Sequence, residues 1–384
     1  MPADTTETDP VGALAVEEAP APAPVAAAGV AEAGGIFLGH GPVGAVDGMD
    51  LRQVVNRQRL RFAVPVRQPL VLISQIQRSG GTLLSQLLDG HGQLHVHPSE
   101  LHIGRPNKYR WPRFDPDARP DELFEQIREP GAINAARDGY QKLGKAELAA
   151  GAEREDLLLP FIFAGQLQAR LFARALAPAP RTRRQVLDAY ATSYFNAWLD
   201  YAGLYRSPDT VRYWVAFVAR LLARPDQVEQ MFADYPDGRL MIPVREPESW
   251  LASARRHSNE YADTKTALDL WVGAHKRSLQ LAGDHPAMVR LVRFEALVGD
   301  TEATMRGVAR FLDIDFTPSL TQPTFNGIPV PSNSSFAAGV GVDAASATRG
   351  QHLDKADRAA VSARTEALHR KLAAIADYQH RRDS

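Results

Sequence analysis

The 384-residue chain contains no cysteine. Disulfides, thiolate zinc sites, iron–sulfur clusters and cysteine nucleophiles are therefore excluded together, and thiol usage says nothing of the redox compartment. Basic residues are missing from the first 50 positions, which hold eight acidic side chains, and the first basic residue is Arg52. A secretory signal needs a basic segment ahead of its apolar stretch, so export by that route is not expected and the chain reads as cytoplasmic. Nowhere is there a run of about 18 uncharged apolar residues, so no transmembrane helix is expected. The first 35 or so residues also lack aromatic side chains and are rich in Ala, Pro, Gly and acids; residues 1–50 read as a disordered acidic tail.

What remains is of ordinary globular composition, 45% apolar and 23% charged. Residues 51–384 are read as a single domain. With 44 basic residues against 45 acidic ones, eight of them in the tail, this part carries a surplus of seven positive charges. Such a surplus suits an anionic ligand. Spread over so long a chain, it is too dilute to indicate nucleic-acid binding, which is not expected.

Three segments repeat one pattern. PLVLIS, from Pro69, is a short run rich in branched residues, as expected of a strand buried on both faces of a parallel sheet. The polar loop QIQRSGG follows, and then TLLSQLLDG, where Leu83, Leu84, Leu87 and Leu88 recur at helical spacing. RLMIPV (239–244) leads through Arg245, Glu246 and Pro247 into the helical ESWLASARRH. MVRLVRF (288–294) leads into TEATMRGVARFL, which Asp300 or Thr301 can cap. Strands alternating with helices give an α/β fold with a parallel sheet. Between the first two units, segments near 121–129, 156–176 and 183–203 have helical patterning and are read as an insertion, about 103–210, covering the site. A loop follows Pro318, and a final amphipathic helix spans roughly 353–378.

A helix N-terminus behind a buried strand offers unpaired backbone N–H groups and the positive end of a dipole, where a phosphate can bind. RSGGT suits this: Gly80 and Gly81 let the backbone approach an oxyanion, Ser79 and Thr82 add hydroxyls, and Arg78 adds a permanent charge. The loop by itself fits a structural turn as well as a phosphate cradle. A nucleotide-triphosphatase loop requires Lys directly before the Ser or Thr, and Gly81 stands there instead. Arg245 ends a strand at the edge where open α/β sheets bind ligands, with Ser253 eight residues on.

These blocks resemble the sulfotransferases that use 3′-phosphoadenosine 5′-phosphosulfate (PAPS). QIQRSGGTLLSQLLDGH is similar to their 5′-phosphosulfate loop, VREPESWLASARRHS to their 3′-phosphate motif, and LVRFEALVGDTEATMRGVARFLDI to their third block. With Arg rather than Lys in the first motif, the likeness is to bacterial, carbohydrate and protein-tyrosine members. The resemblance implies a three-layer, P-loop-like parallel sheet flanked by helices. It also implies sulfuryl transfer from PAPS to a hydroxyl, or less readily an amine, of an acceptor such as a glycan, lipid, peptide tyrosine or metabolite. Arg78, Ser79, Gly80, Gly81 and Thr82 would hold the 5′-phosphosulfate, and Arg245 and Ser253 the 3′-phosphate. The GxxGxxK motif of cytosolic members is not evident; Asn333, Ser334, Ser335 and Arg349 are candidates for its place. No metal is implied.

In-line transfer at sulfur requires charge neutralisation on the leaving phosphate, for which Arg78 is the candidate, and a base for the attacking hydroxyl. Glu100 follows the first motif, after the strand-like LHVH, at about the distance of the catalytic Glu in tyrosylprotein sulfotransferases; it also reads as a solvated loop carboxylate or a helix cap. His97 and His102 are alternative bases. They belong, with His91 and His95, to a cluster that invites a zinc reading, although PAPS chemistry needs no metal. Tyr194, Phe195, Trp198 and Tyr201 read as packing, Glu295 as the partner of a basic group or a cap of the next turn, and Arg255, Arg256 and His257 as a basic helix end that complements the dipole. Two other functions fit the same residues: a nucleotide kinase using ATP and magnesium, and a non-catalytic module binding 3′-phosphoadenosine 5′-phosphate (PAP) or another polyanion.

Overall fold

The three apolar runs become strands of one sheet in the computed structural model, which describes residues 45–46, 49–103, 110–129, 140–141, 158–206, 209–331 and 341–382. The sheet has five strands: β1 Leu70–Gln75, β2 Leu94–Glu100, β3 Tyr213–Ala219, β4 Arg239–Val244 and β5 Val289–Arg293. Their spatial order is β2-β3-β1-β4-β5, and every pairing is parallel. The principal helices are α1 Gly81–Leu88, α2 Pro120–Ile127, α3 Gly165–Ala175, α4 Arg183–Ala197, α5 Pro225–Asp234, α6 Pro247–His257, α7 Thr264–Asp284, α8 Phe294–Gly299, α9 Thr301–Phe311 and α10 Lys355–Arg382. Residues 52–384 form one compact unit and residues 1–51 another, in which Ala45–Val46 pairs antiparallel with Met49–Asp50. The tail expected over residues 1–50 lies almost wholly outside the described residues.

Strand alternation explains the continuous apolar text. Leu70 and Leu72 of β1 enter one core with Val186 and Leu187 of α4, Trp271 of α7 and Leu372 of α10. Val71 and Ile73 enter the other with Leu84 and Leu87 of α1 and with Met305 and Val308 of α9. Because both faces are covered, neither set tolerates polar residues. Each of these four β1 side chains is fully buried, a gain of about 1.5–3 kcal/mol apiece over leaving it exposed. This is a three-layer α/β arrangement, as the alternating pattern requires.

Local signals fix the helix starts. Thr182 and Gln185 exchange bonds in a capping box ahead of α4, and the Asp300 carboxylate accepts the Ala303 N–H at 3.0 Å ahead of α9. The aromatic residues of the insertion are packing groups: Tyr194, Phe195, Trp198 and Tyr201 are all buried and in mutual ring contact. One strand is absent from the sequence pattern as read above. YWVAFVA, β3, is buried at all seven positions and lies between β2 and β1. A short run with no polar alternation is indistinguishable by periodicity from a buried helix segment.

Several histidines are buried as neutral rings. His275 is fully buried between α7 and α10, neither ring nitrogen has a hydrogen-bond partner, and burial pushes its pKa down to about 3. Burial likewise pushes His95 down to about 4. An unfolded histidine protonates near pH 6.5, and a depressed folded pKa means that stability is complete above that value and lost as pH falls toward the folded value. At pH 5.5 each of these two rings costs about 1.4 kcal/mol. Thermal denaturation is expected to show Tm falling by roughly 2–5 °C between pH 7.5 and 5.5. His275→Leu, which gives up no hydrogen bond, should remove about half of that fall. A wild-type Tm that does not move over this range would contradict the assignment.

Candidate active site

The carboxyl ends of β1, β3 and β4 open on a cleft of about 180 Å³ that brings together Arg78, Gly80, Gly81, Thr82, Glu100, Arg245 and Arg349. It lies at the edge where open parallel sheets bind ligands, beside the strand at which the connections change direction.

The β1–α1 loop forms the floor. Arg78 adopts a left-handed backbone with φ 68°, and Gly80 has φ 103°. A non-glycine residue in that region costs on the order of 1–2 kcal/mol, a strain that the surrounding contacts hold in place. A Cβ on Gly80 would meet the Phe294 ring at 2.4 Å, and one on Gly81 would meet Phe217 at 2.6 Å and Gln75 at 2.9 Å. A side chain at either position would require these neighbours to shift, and at Gly80 the positive φ adds backbone strain. Gly80 is the N-cap of α1 and no side chain caps that helix, so its first amides are turned toward the cleft with the positive end of the dipole. In α6 the corresponding amides are satisfied, because the Glu246 carboxylate accepts from Glu248 N at 3.0 Å and Ser249 N at 2.7 Å. The two strand–loop–helix units therefore differ chemically: α1 offers amides, and α6 offers Arg245.

Arg245 is 3% exposed. Its guanidinium donates to Arg78 O at 3.0 Å, to Ser249 Oγ at 2.8 Å and to Ser346 O at 2.5 Å, and lies 4.3 Å over the Phe294 ring. Burial, reinforced by Arg349 and Arg78 and opposed by Glu295, lowers its pKa to about 9. Arg78 is lowered to about 10, first by burial and then by Arg349. Arg349, in the 3-10 segment Ala344–His352, is also lowered by burial; its guanidinium donates to Asp343 Oδ2 at 2.5 Å. All three remain cationic at neutral pH. The depressions record how incompletely their charge is compensated, and an anion between them would relieve that.

Three polar groups around this floor are buried without a hydrogen-bond partner: Arg78 Nε, Ser79 Oγ and Ser253 Oγ. Ser253 is fully buried behind the cleft, whereas Ser249, which the sequence did not single out, is the serine that holds Arg245. Ser334, with Asn333 and Ser335, lies outside the described residues. Other lining groups missed in the sequence are Gln75, Gln77, His257 and Ser346. Gln77 and Ser346 carried no signal; His257 stood in a basic helix end that read as dipole complementation. Of its neighbours, Arg255 pairs with Asp357 instead. Glu295 accepts the Glu246 N–H at 2.9 Å, at the start of α6 and not in the turn that follows it.

On the opposite wall, Glu100 ends β2 and accepts the Ala219 N–H at 3.2 Å. His102 Nε2 lies 3.9 Å from its other oxygen, with half of the His102 side chain exposed. His97 is 2% exposed, packs its ring 4.5 Å from that of Tyr194 and faces Glu129, turned away from the cleft. His95 contacts Phe195 and Tyr201, and His91 is bonded to Asp315 O. The four histidines thus point to separate partners, and among the described residues no group of His, Asp and Glu side chains gathers as metal ligands. Among the same residues no helix is long and apolar enough to cross a membrane.

The family model described as "Sulfotransferase family" matches residues 69–318. No curated protein matches the chain. Among solved structures, the sulfotransferase domain of the Synechococcus PCC 7002 olefin synthase is 19% identical, covering 81% of this chain and 96% of that one, with a TM-score of 0.46. The sulfotransferase domain from the curacin biosynthetic pathway is 17% identical, covering 78% and 98%, with a TM-score of 0.43. Sulfotransferase STF9 from Mycobacterium avium is 14% identical, covering 71% of each chain, with a TM-score of 0.35. The matched stretch runs from β1 through α9 and contains the uncapped loop, Glu100, Arg245 and Ser253; on it the chain belongs to the sulfotransferase family.

Proposed function

We propose that this chain takes its sulfuryl group from PAPS and passes it to a hydroxyl of an acceptor. The observation that carries the reading is the convergence of two buried arginines, Arg245 and Arg349, the half-buried Arg78 and the uncapped N-terminus of α1 on one cleft. A ligand with phosphates at both ends of a nucleoside would engage the α1 amides with one phosphate and Arg245 with the other. The residues also fit the nucleotide by their unmet valences: Arg78 Nε, Ser79 Oγ and Ser253 Oγ are donors held without acceptors. In this reading the backbone amides at Gly80, Gly81 and Thr82, with Arg78 and the Ser79 hydroxyl, hold the 5′-phosphosulfate. Arg245, supported by Ser249 and assisted by Ser253 and Arg349, holds the 3′-phosphate.

PAPS supplies the activated sulfuryl group and a phosphate leaving group. Arg78 and the α1 amides stabilise negative charge as it accumulates on that phosphate, at positions fixed before reaction. Glu100, which lines the same cleft, takes the proton of the acceptor hydroxyl through the oxygen that lies toward His102. His97 is a poor candidate for this task because its ring is sealed against Tyr194 and Glu129. Hydroxyl groups of glycans, lipids, peptide tyrosines and metabolites all suit this chemistry. A cytoplasmic site of action is part of the same proposal. The kinase reading lacks a lysine ahead of Thr82.

Calorimetric titration is expected to give micromolar PAP binding and negligible binding of ADP with magnesium; the reverse result would overturn the donor assignment. Arg245→Ala, checked for native circular dichroism, should weaken PAP by tenfold or more, since a charge-assisted contact contributes about 1.5–3 kcal/mol. Unchanged affinity would remove Arg245 from the donor site. Glu100→Gln should leave PAP affinity within twofold while lowering PAP release from PAPS in the presence of acceptor by roughly a hundredfold. A near-normal rate in that variant would transfer the base role to His102.

A further inference from the structure

Glu100 does not end a regular strand. The β2–β3 pairing is in register from Leu94 to Val96, then shifts, and resumes at Glu100 opposite Phe217. Pro98, which has no N–H to give to a ladder, falls inside the break, and β2 is an edge strand, where such an interruption is tolerated. Irregularities of this kind re-aim side chains beside functional sites. This one turns Glu100 onto the Ala219 N–H and into the cleft.

An irregular segment at a sheet edge needs support from elsewhere, and one buried carboxylate supplies it. Glu129 comes from the helical insertion, two residues beyond the end of α2, and its side chain is 4% exposed. Its Oε1 accepts the backbone N–H of His102 at 2.5 Å. Its Oε2 packs 3.2 Å from His97 Nε2 without forming a hydrogen bond, and the other nitrogen of that ring is 2.9 Å from Ser99 O. The contacts of a single carboxylate thus fall on both sides of Pro98, against the imidazole at residue 97 and on the backbone N–H at residue 102. Glu100 sits between these two anchor points.

We propose that Glu129 is a positioning residue, which holds the broken end of β2 so that the Glu100 carboxylate stays on the Ala219 amide and faces the cleft. This rests on the reading of Glu100 as the base, and it joins the helical insertion to the reacting end of the site. Glu129 itself does not reach the cleft and does not contact the donor.

The test uses the full-length protein and backbone hydrogen exchange at His102 and Ala219, whose amides are held by Glu129 and Glu100 respectively. Glu129→Ala is expected to speed exchange at both amides by tenfold or more while PAP affinity stays within twofold of wild type. Faster exchange at His102 with Ala219 unchanged would overturn the proposal, because Glu129 would then be a local support only. Should Glu129→Ala fail to fold, Glu129→Leu decides: it keeps most of the volume and removes both oxygens, and unchanged exchange at both amides would equally overturn the proposal. With an active acceptor, Glu129→Leu should lower kcat for PAP formation in parallel with Glu100→Gln and leave KM for PAPS unaltered. Wild-type failure to bind PAP would sink the donor reading, and a fully active Glu100→Gln would sink the base reading. Neither result alters the exchange pattern, so the three failures are distinguishable.

Discussion

The buried guanidinium of Arg245 is the contact on which the site depends. It ties the end of β4 to the carbonyl of Arg78, 167 residues earlier, and to the carbonyl of Ser346, 101 residues later. A charged group with 3% exposure is tolerated only where its hydrogen bonds are met, and here two backbone carbonyls and a serine hydroxyl meet them. The same bonds hold Arg78 in its left-handed conformation, with Gly80 pressed against Phe294 beneath. The phosphate-loop geometry is thus imposed partly from outside the loop, by strand, ring and guanidinium together.

The electrostatic design follows from how each helix start is treated. Glu246 occupies the amides of α6 and sets a negative charge near Arg245, whereas α1 keeps its amides open. Positive potential is concentrated at the loop and between the three arginines, with Glu100 apart on the far wall. Separating the acidic group from the cationic floor lets one cleft stabilise a leaving anion and accept a proton without the two groups quenching each other.

Much of this was legible in the text of the chain. PLVLIS, RLMIPV and MVRLVRF declared themselves as buried strands because both faces of a parallel strand must be apolar, and the glycine pair, Asp300 and Pro247 punctuated the helices that follow. β3 escaped because its seven apolar residues have neither alternation nor helical spacing to distinguish them. Arg349 was reached only through the family resemblance, and Ser249 not at all, since nothing local sets it apart from Ser253 four residues later.

By itself the sequence determined the alternation of strands and helices, the glycine loop at a strand end and the arginine at another, because these depend on local periodicity and backbone freedom. Only the tertiary structure decided which serine supports Arg245, that Phe217 and Gln75 crowd the position of Gly81, and that a carboxylate at position 129 holds the backbone beside Glu100. Those outcomes depend on the strand order β2-β3-β1-β4-β5, which sets groups tens to hundreds of residues apart within hydrogen-bond reach, and no local pattern encodes that pairing.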